Sequence, residues 1–373
     1  MSEYFQGISF SLLFQFVVYS FLTIIVLRIR IRIKPLYIIL LTLAKYGLVF
    51  SIFAFFDFSH WLKVDDITYF SISKDLYEQG YSLFSIDTFD RLKYLSGGIH
   101  IMYSWVNMLL HSVWGGYYFS TVYFNVFLTF ICGVYIYDLS LRVIGVRKYS
   151  LGLFLFFCMH WDILTWSSFL NLKDILVLFL TLTSFWLIIC RLPSKPISSV
   201  FVLFLVCILF YWTRFYVPVI IGISYGIYSL KPNFSMVLKV SGLILLSVFF
   251  LSYLGVDSLQ YFIAKLNFGF ETIAGISRFV ITPLPWKIED SYSFLILSSL
   301  LHFVFFIPAI IGGTQLIYKY KEFYLITLFS IICLFIYGSF PELQGPRHRI
   351  QLSFVIIWFQ YHSIYSYLRK HYA

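Results

Sequence analysis

Charge is what this sequence has least of. Asp, Glu, Lys and Arg together make up 12% of it, about half the roughly 25% of an average soluble domain. So few charges cannot cover the surface of a 373-residue water-soluble fold, and bilayer hydrocarbon is the solvent that fits. Cysteine is sparse and unpatterned. Cys132, Cys158, Cys190, Cys207 and Cys333 all fall in apolar segments without CxxC or Cys/His spacing, so they read as small buried hydrophobes and imply no disulfide framework. A GxxxxGK[ST] phosphate loop is absent, which argues against an ATP-driven pump or a cytoplasmic nucleotide-sugar enzyme. No internal repeat is visible, which weighs against a transporter built from duplicated halves. The first apolar run, from about Ile8, lacks a preceding basic region and a following small-residue cleavage site. It reads as a retained helix rather than a cleaved signal.

What is present is hydrocarbon. Hydrophobic residues make up 60% of the chain, with 44 Phe and 30 Tyr; tyrosine suits the headgroup boundary, where its ring is buried and its hydroxyl stays wet. A spanning helix needs about 20 mostly apolar residues. Runs of that order begin near Ile8, Leu36, Tyr117, Leu151, Ile175, Ser198, Val217, Met236, Phe294, Phe323 and Ile350. The expected fold is therefore all-α: one polytopic transmembrane helical bundle over 1–373, with about eleven spans (ten to twelve). Gly97 to Ser112 is too short and polar for a clear span and reads as lying on the membrane or re-entering it.

The net charge of +10 does not mark a nucleic-acid binder, because the basic residues sit in short clusters between apolar runs. Under the positive-inside rule, Arg28, Arg30, Arg32 and Lys34 set the loop after the first run as cytoplasmic. Alternating from there, that side collects fifteen Lys and Arg against two acids, Asp138 and Glu322, while the other side holds eleven basic and fifteen acidic residues. The expected topology has the N-terminus outside and the C-terminus in the cytoplasm. Outer loops fall at about 58–98, 255–291 and 339–349.

The densest polar constellation is in the first outer loop, from Lys63-Val64-Asp65-Asp66 through Tyr69 to Gly80. Apolar Tyr69, Phe70, Ile72, Leu76 and Tyr77 suggest an interfacial amphipathic helix ending at Gly80, with Asp65 and Asp66 at its N-terminus, where the helix dipole keeps carboxylates ionised. Such a carboxylate can serve as a general base toward an acceptor hydroxyl; equally, Asp65 can be an N-cap and Asp66 a solvated first-turn acid. Asp162 and the pair Lys173-Asp174 flank the next outer turn, as site residues or as helix starts. Arg214, among Tyr211, Trp212, Phe215 and Tyr216, can grip phosphate or snorkel to the interface. Near the C-terminus, Gly345-Pro346 breaks the chain before Arg347-His348-Arg349. Cations on the outer side run against the positive-inside bias, so an anionic ligand, a lipid-linked phosphate or diphosphate, is the functional reading and lipid headgroups the ordinary one.

Together these residues resemble the GT-C superfamily of membrane glycosyltransferases, in the branch of protein O-mannosyltransferases and lipid A-modifying transferases. In that family an acidic pair opens the first outer loop, followed by a Tyr and an amphipathic helix ending in Gly; Asp65-Asp66-x-x-Tyr69 and the helix to Gly80 correspond. Asp162 or Asp174 loosely matches a later outer acid, and Arg347 and Arg349 match arginines near a late span. Bacterial O-antigen and capsule polymerases are similar in layout. The resemblance implies a polyprenyl-phosphate-linked sugar as donor, with Asp65 or Asp66 as the general base. Arg347 and Arg349, with His348, Arg214 and Lys173, would bind the departing phosphate, and Tyr69, Asp162 and Asp174 would complete the substrate site. The protein would act at the outer, periplasmic face of the inner (plasma) membrane. Its partners would be membrane lipids and a lipid-linked glycan, without nucleic acid. Asp65 and Asp66 are compatible with a divalent metal, though no second ligand set is identifiable. A flippase for lipid-linked sugars is the competing class, for which only Lys45 lies clearly within a span. The enzymatic reading requires carboxylates of the 58–98 segment and guanidiniums of the 339–349 segment to share one cavity.

Overall fold

The computed structural model describes residues 9–57, 59–62, 64–96, 100–229 and 269–372. Every element among them is helical, and no strand occurs among the described residues. The span expected from Met236, the first part of the 255–291 loop, and Lys63, Lys231 and Lys239 lie outside the described residues.

Five described helices are long and apolar enough to cross a membrane: Phe10–Arg30, Pro35–Phe55, Tyr118–Ile144, Asp174–Arg191 and Pro196–Arg214. The bent pair Asp290–Val304 and Phe306–Lys319 makes a sixth if it is one span. This is a helical membrane protein. The run expected to span from Leu151 is instead two short helices, Arg147–Cys158 and Trp161–Ser168. The break falls where the His160 Nδ1 accepts the Asp162 backbone N–H and starts a new helix. The last helix, Ile350–Tyr372, is long enough, but Gln351, Ser353, Gln360 and His362 keep it out of the strongly apolar class.

The chain divides into two compact units. The first comprises 1–214 and 285–301. Its helices are α1 (Phe10–Arg30), α2 (Pro35–Phe55), α3 (Val64–Glu78), α4 (Ile86–Leu95), α5 (Ile101–Trp114), α6 (Tyr118–Ile144), α7 (Arg147–Cys158), α8 (Trp161–Ser168), α9 (Asp174–Trp186, continued by a π-turn to Arg191) and α10 (Pro196–Arg214). Helix α6 is the hub, packing against α1, α2, α5, α7, α8 and α9. Where α1 ends, Arg30 pairs with Asp138 of α6, whose carboxylate also accepts the Trp186 indole N–H at 2.9 Å. The segment expected as the first outer loop folds onto α5. Leu76, Leu92, Ile101 and Met108 form an enclosed cluster, with Trp105 and Trp212 packed against it.

The second unit comprises 215–284 and 302–373. Its described helices are α11 (Tyr216–Ser229), α12 (Phe270–Ile281), α14 (Phe306–Lys319), α15 (Phe323–Ser339) and α16 (Ile350–Tyr372); α13 (Ile296–Val304) begins in the first unit and ends in the second. Within the second unit the seams are made by glycine. Gly275 of α12 lies so close to Gly338 of α15 that a Cβ there would overlap the Gly338 carbonyl, and Gly312 of α14 abuts the Phe359 carbonyl of α16 in the same way. Small residues that let backbones touch are the usual means of packing helices in lipid, where apolar burial supplies no net drive.

Candidate functional site

Helix α3 carries the expected acidic pair in its first turn and ends where sequence placed its end. Gly80 adopts φ +79°, its N–H reaches the Tyr77 carbonyl at 3.0 Å, and the Tyr81 N–H reaches the Leu76 carbonyl at 3.1 Å. This is the left-handed glycine cap that a side chain would strain. The face that α3 buries differs from the apolar stripe expected. It consists of Asp66, Tyr69, Phe70, Ser73 and Leu76, while Tyr77 is exposed. Two polar residues sit on the buried face because their partners are polar: Ser73 donates to the Ser104 carbonyl of α5 at 2.8 Å, and Asp66 accepts the Tyr118 hydroxyl of α6 at 3.1 Å. Asp66 is 0% exposed, so it is not a solvated first-turn acid. Asp65, its neighbour, is half-buried.

From Asp66 a hydrogen-bonded network runs through the first unit. The Tyr118 oxygen accepts the Asn171 backbone N–H at 3.0 Å. The Asn171 side chain accepts the Tyr103 hydroxyl at 2.7 Å and donates to Asn107 at 2.7 Å. Asn107 also accepts Thr121 at 2.9 Å. Asn125 donates to the Tyr103 oxygen at 3.0 Å and to the Leu172 carbonyl at 3.3 Å. Burial pushes the Tyr103 hydroxyl well above the ordinary phenol range; Tyr69, Asp174 and Asp66 push the same way, against the bond from Asn125. Tyr103 is therefore a neutral donor, to Asn171.

Two cations adjoin the network. Lys173 Nζ lies 2.7 Å from the His100 ring nitrogens and 5.5 Å from the centroid of Tyr69, and Tyr69 stands edge-on to Tyr103 at 5.1 Å. Arg214 forms an ion pair with Asp174, both nearly sealed from solvent. Neither an interfacial snorkel nor an open phosphate grip describes Arg214. It neutralises a carboxylate that burial would otherwise make costly.

The structure thus brings together Asp66, Tyr69, Lys173, Asp174 and Arg214 of the expected site residues. Asp162 is buried and accepts the Ser298 hydroxyl. Arg347, His348 and Arg349 belong to the second unit, in a turn of 3-10 helix. There, His348 stacks on Tyr337 with centroids 6.2 Å apart. Arg349 donates to the Thr282 and Val280 carbonyls, and Arg347 is half-buried. Among the described residues, no three of His, Cys, Asp and Glu gather as a metal ligand set.

Sequence reasoning missed His100, Tyr103, Asn107, Tyr118, Thr121 and Asn125. The signal was present as periodicity. His100, Tyr103, Asn107 and His111 recur at helical spacing along α5, as do Tyr118, Thr121, Asn125 and Thr129 along α6. In a hydrocarbon setting such a polar stripe must face the protein interior. The arrangement offers a buried carboxylate, a protonated phenol that stays neutral, and an ammonium next to aromatic rings. These are the parts from which proton transfer and anion stabilisation are built. No family model, curated protein or solved structure matches the chain.

Proposed function

We propose that the protein is a membrane glycosyltransferase that moves a sugar or oligosaccharide from a polyprenyl-phosphate or diphosphate carrier to an acceptor hydroxyl at the outer face of the inner membrane. The observation that carries this reading is the sealed carboxylate of Asp66, hydrogen-bonded to Tyr118 in a network that borders Lys173. In the proposed reaction Asp66 takes the proton of the acceptor hydroxyl, the oxygen attacks the anomeric carbon, and the carbon–oxygen bond to phosphate breaks. The phosphate departs with the electron pair, and in this reading Lys173 takes the neutralising role that the family resemblance implies for Arg347 and Arg349. Arg214, held by Asp174, fixes the start of α9 and so the position of Lys173. About eleven spans with an outer N-terminus belong to this proposal; the basic end of α1, with Arg28 and Arg30, supports that orientation. A repeat-unit polymerase is the same chemistry with a growing glycan as acceptor.

The test is conversion of lipid-linked donor by purified protein in detergent. Asp66→Asn and Lys173→Gln should each abolish product and carrier-phosphate release while the protein stays folded. Full activity in both variants would end the assignment.

Transport of the lipid-linked sugar is a second reading, and one observation favours it. Lys45 is fully buried within the second apolar helix, bonded to Thr129 at 2.6 Å, and an ionisable group at that depth commonly marks a path through the membrane. Turnover in detergent, where no gradient exists, separates the two.

A further inference from the structure

Two helices of the first unit begin on residues that do not cap them, and those two side chains meet. His100 holds the N-cap position of α5 and Lys173 that of α9, and neither makes a capping hydrogen bond. Lysine has no acceptor with which to cap. Histidine does: at the start of α8 the His160 Nδ1 accepts a backbone N–H, as N-cap side chains commonly do. The His100 ring is turned to Lys173 instead. The Lys173 amine lies 2.7 Å from each of its ring nitrogens, so in either neutral tautomer the nitrogen with the free lone pair is within reach of the amine. Tyr69 closes the corner, its ring 5.5 Å from the amine and edge-on to the imidazole at 5.9 Å. Lys173 and Tyr69 are buried, whereas His100 is half-buried and open to protons from solvent.

Few groups set the charge of this corner. Asp65 and Asp66 open α3, Tyr103 lies one turn into α5, Asp174 follows Lys173, and Arg214 ends α10. Asp174 and Arg214 neutralise each other and Tyr103 stays a neutral phenol, which leaves the α3 carboxylates and the Lys173–His100 pair. Both cap positions sit at the positive end of a helix dipole, where cations are disfavoured. One ammonium is already there, so a charge on the imidazole would meet it at contact distance, with both dipoles opposed. We propose that His100 is a positioning residue of the transferase site. Its neutral imidazole accepts a hydrogen bond from Lys173 and holds the ammonium beside Tyr69; its protonation releases the ammonium, and transfer is lost as pH falls. The loss of transfer rests on the transferase reading, whereas the coupling of the two side chains does not.

Two measurements on the full chain in detergent test this, and the first needs no turnover. With nitrogen-15-labelled histidine, the His100 ring signals are identified by their loss in His100→Gln. They should titrate at higher pH in Lys173→Met than in the parent protein, because removing a neighbouring cation favours the imidazolium. The second is the pH profile of donor conversion. The parent rate should fall on the acid side through two ionisations, those of Asp66 and His100. His100→Phe, which has no acceptor, should cut kcat by roughly tenfold or more without changing the donor KM. His100→Gln, whose amide oxygen can accept in place of the imidazole, should restore most of that loss and remove one acid-side ionisation. A parent protein without turnover would end the transferase reading, and the histidine titration would then decide the pairing. An unmoved His100 titration in Lys173→Met would overturn the proposal. So would His100→Phe with the parent's kcat and acid limb, or His100→Gln as impaired as His100→Phe.

Discussion

The hydroxyl of Tyr118 donates to Asp66 across 3.1 Å, and the same oxygen accepts the Asn171 backbone N–H at 3.0 Å. One phenol therefore ties α3 to α6 and to the turn that opens α9. The carboxylate is placed by residues 52 and 105 positions further along the chain, so its setting belongs to the folded unit rather than to the local Asp-Asp sequence.

Separating the two duties of this pair gives the first prediction. Tyr118→Phe removes a hydrogen bond to a charged group and should lower stability by ~1.5–3 kcal/mol, read as thermal unfolding in detergent. Asp66→Asn keeps an acceptor for Tyr118 but removes the base, so glycan product should fall by at least ~100-fold with little change in unfolding temperature. A variant that loses stability and keeps its turnover would make Asp66 structural.

The Arg214–Asp174 pair should behave as a buried unit. Truncating either partner strands the other charge, and Arg214→Ala or Asp174→Ala should each cost ~3–5 kcal/mol. The double variant Asp174→Leu with Arg214→Met should be far less damaging than the sum. A thermodynamic cycle showing simple additivity would mean the two side chains do not share their burial.

How much of this could be read from the chain alone depends on the range of the interaction concerned. The helix after Asp65-Asp66 and its stop at Gly80 were legible because a cap and a left-handed glycine are local devices. Tyr69, Lys173, Asp174 and Arg214 stood out because charge and aromaticity are conspicuous in an apolar chain. Their grouping was not: the pairing of Arg214 with Asp174 spans forty residues, and hydropathy weighs each position alone. The run at Leu151 looked continuous because His160 counts as one polar residue in a window; its ring capping a new helix is a geometric fact. Asn107 and Asn125 drew no notice within apolar surroundings, though their spacing put each on the inner face of its helix.

The glycine seams yield a third expectation. Gly275→Ala and Gly312→Ala place a methyl group against a carbonyl of the neighbouring helix, and each should destabilise by ~1–3 kcal/mol or more through overpacking. Gly47→Ala, in α2 with nothing within 4 Å of the added Cβ, should be neutral or gain up to ~1 kcal/mol of helix propensity. Equal losses at all three positions, measured by detergent-resistant unfolding, would show that the close approaches carry no weight.

Lys45 supplies a fourth. Its amine is buried with Thr129 as hydrogen-bond partner and the Phe130 ring 5.1 Å away, and a buried charge often exchanges for a well-packed apolar side chain at no loss of stability. Lys45→Met should therefore keep or raise the unfolding temperature and leave transferase turnover in detergent unchanged. If the variant is stable yet lipid-linked sugar no longer crosses a vesicle membrane that the parent protein equips, the transport reading prevails.

The contact of Gly312 with the Phe359 carbonyl has a consequence for biogenesis. Helix α14 is synthesised well before α16, so its glycine face first meets lipid tails rather than its mate. A nascent chain arrested before Ile350 would present that bare groove to the translocon and to quality-control proteases. The α14–α16 seam is therefore expected to form only once α16 is inserted, and that insertion is the event that should turn the second unit from a degradable intermediate into a resistant one.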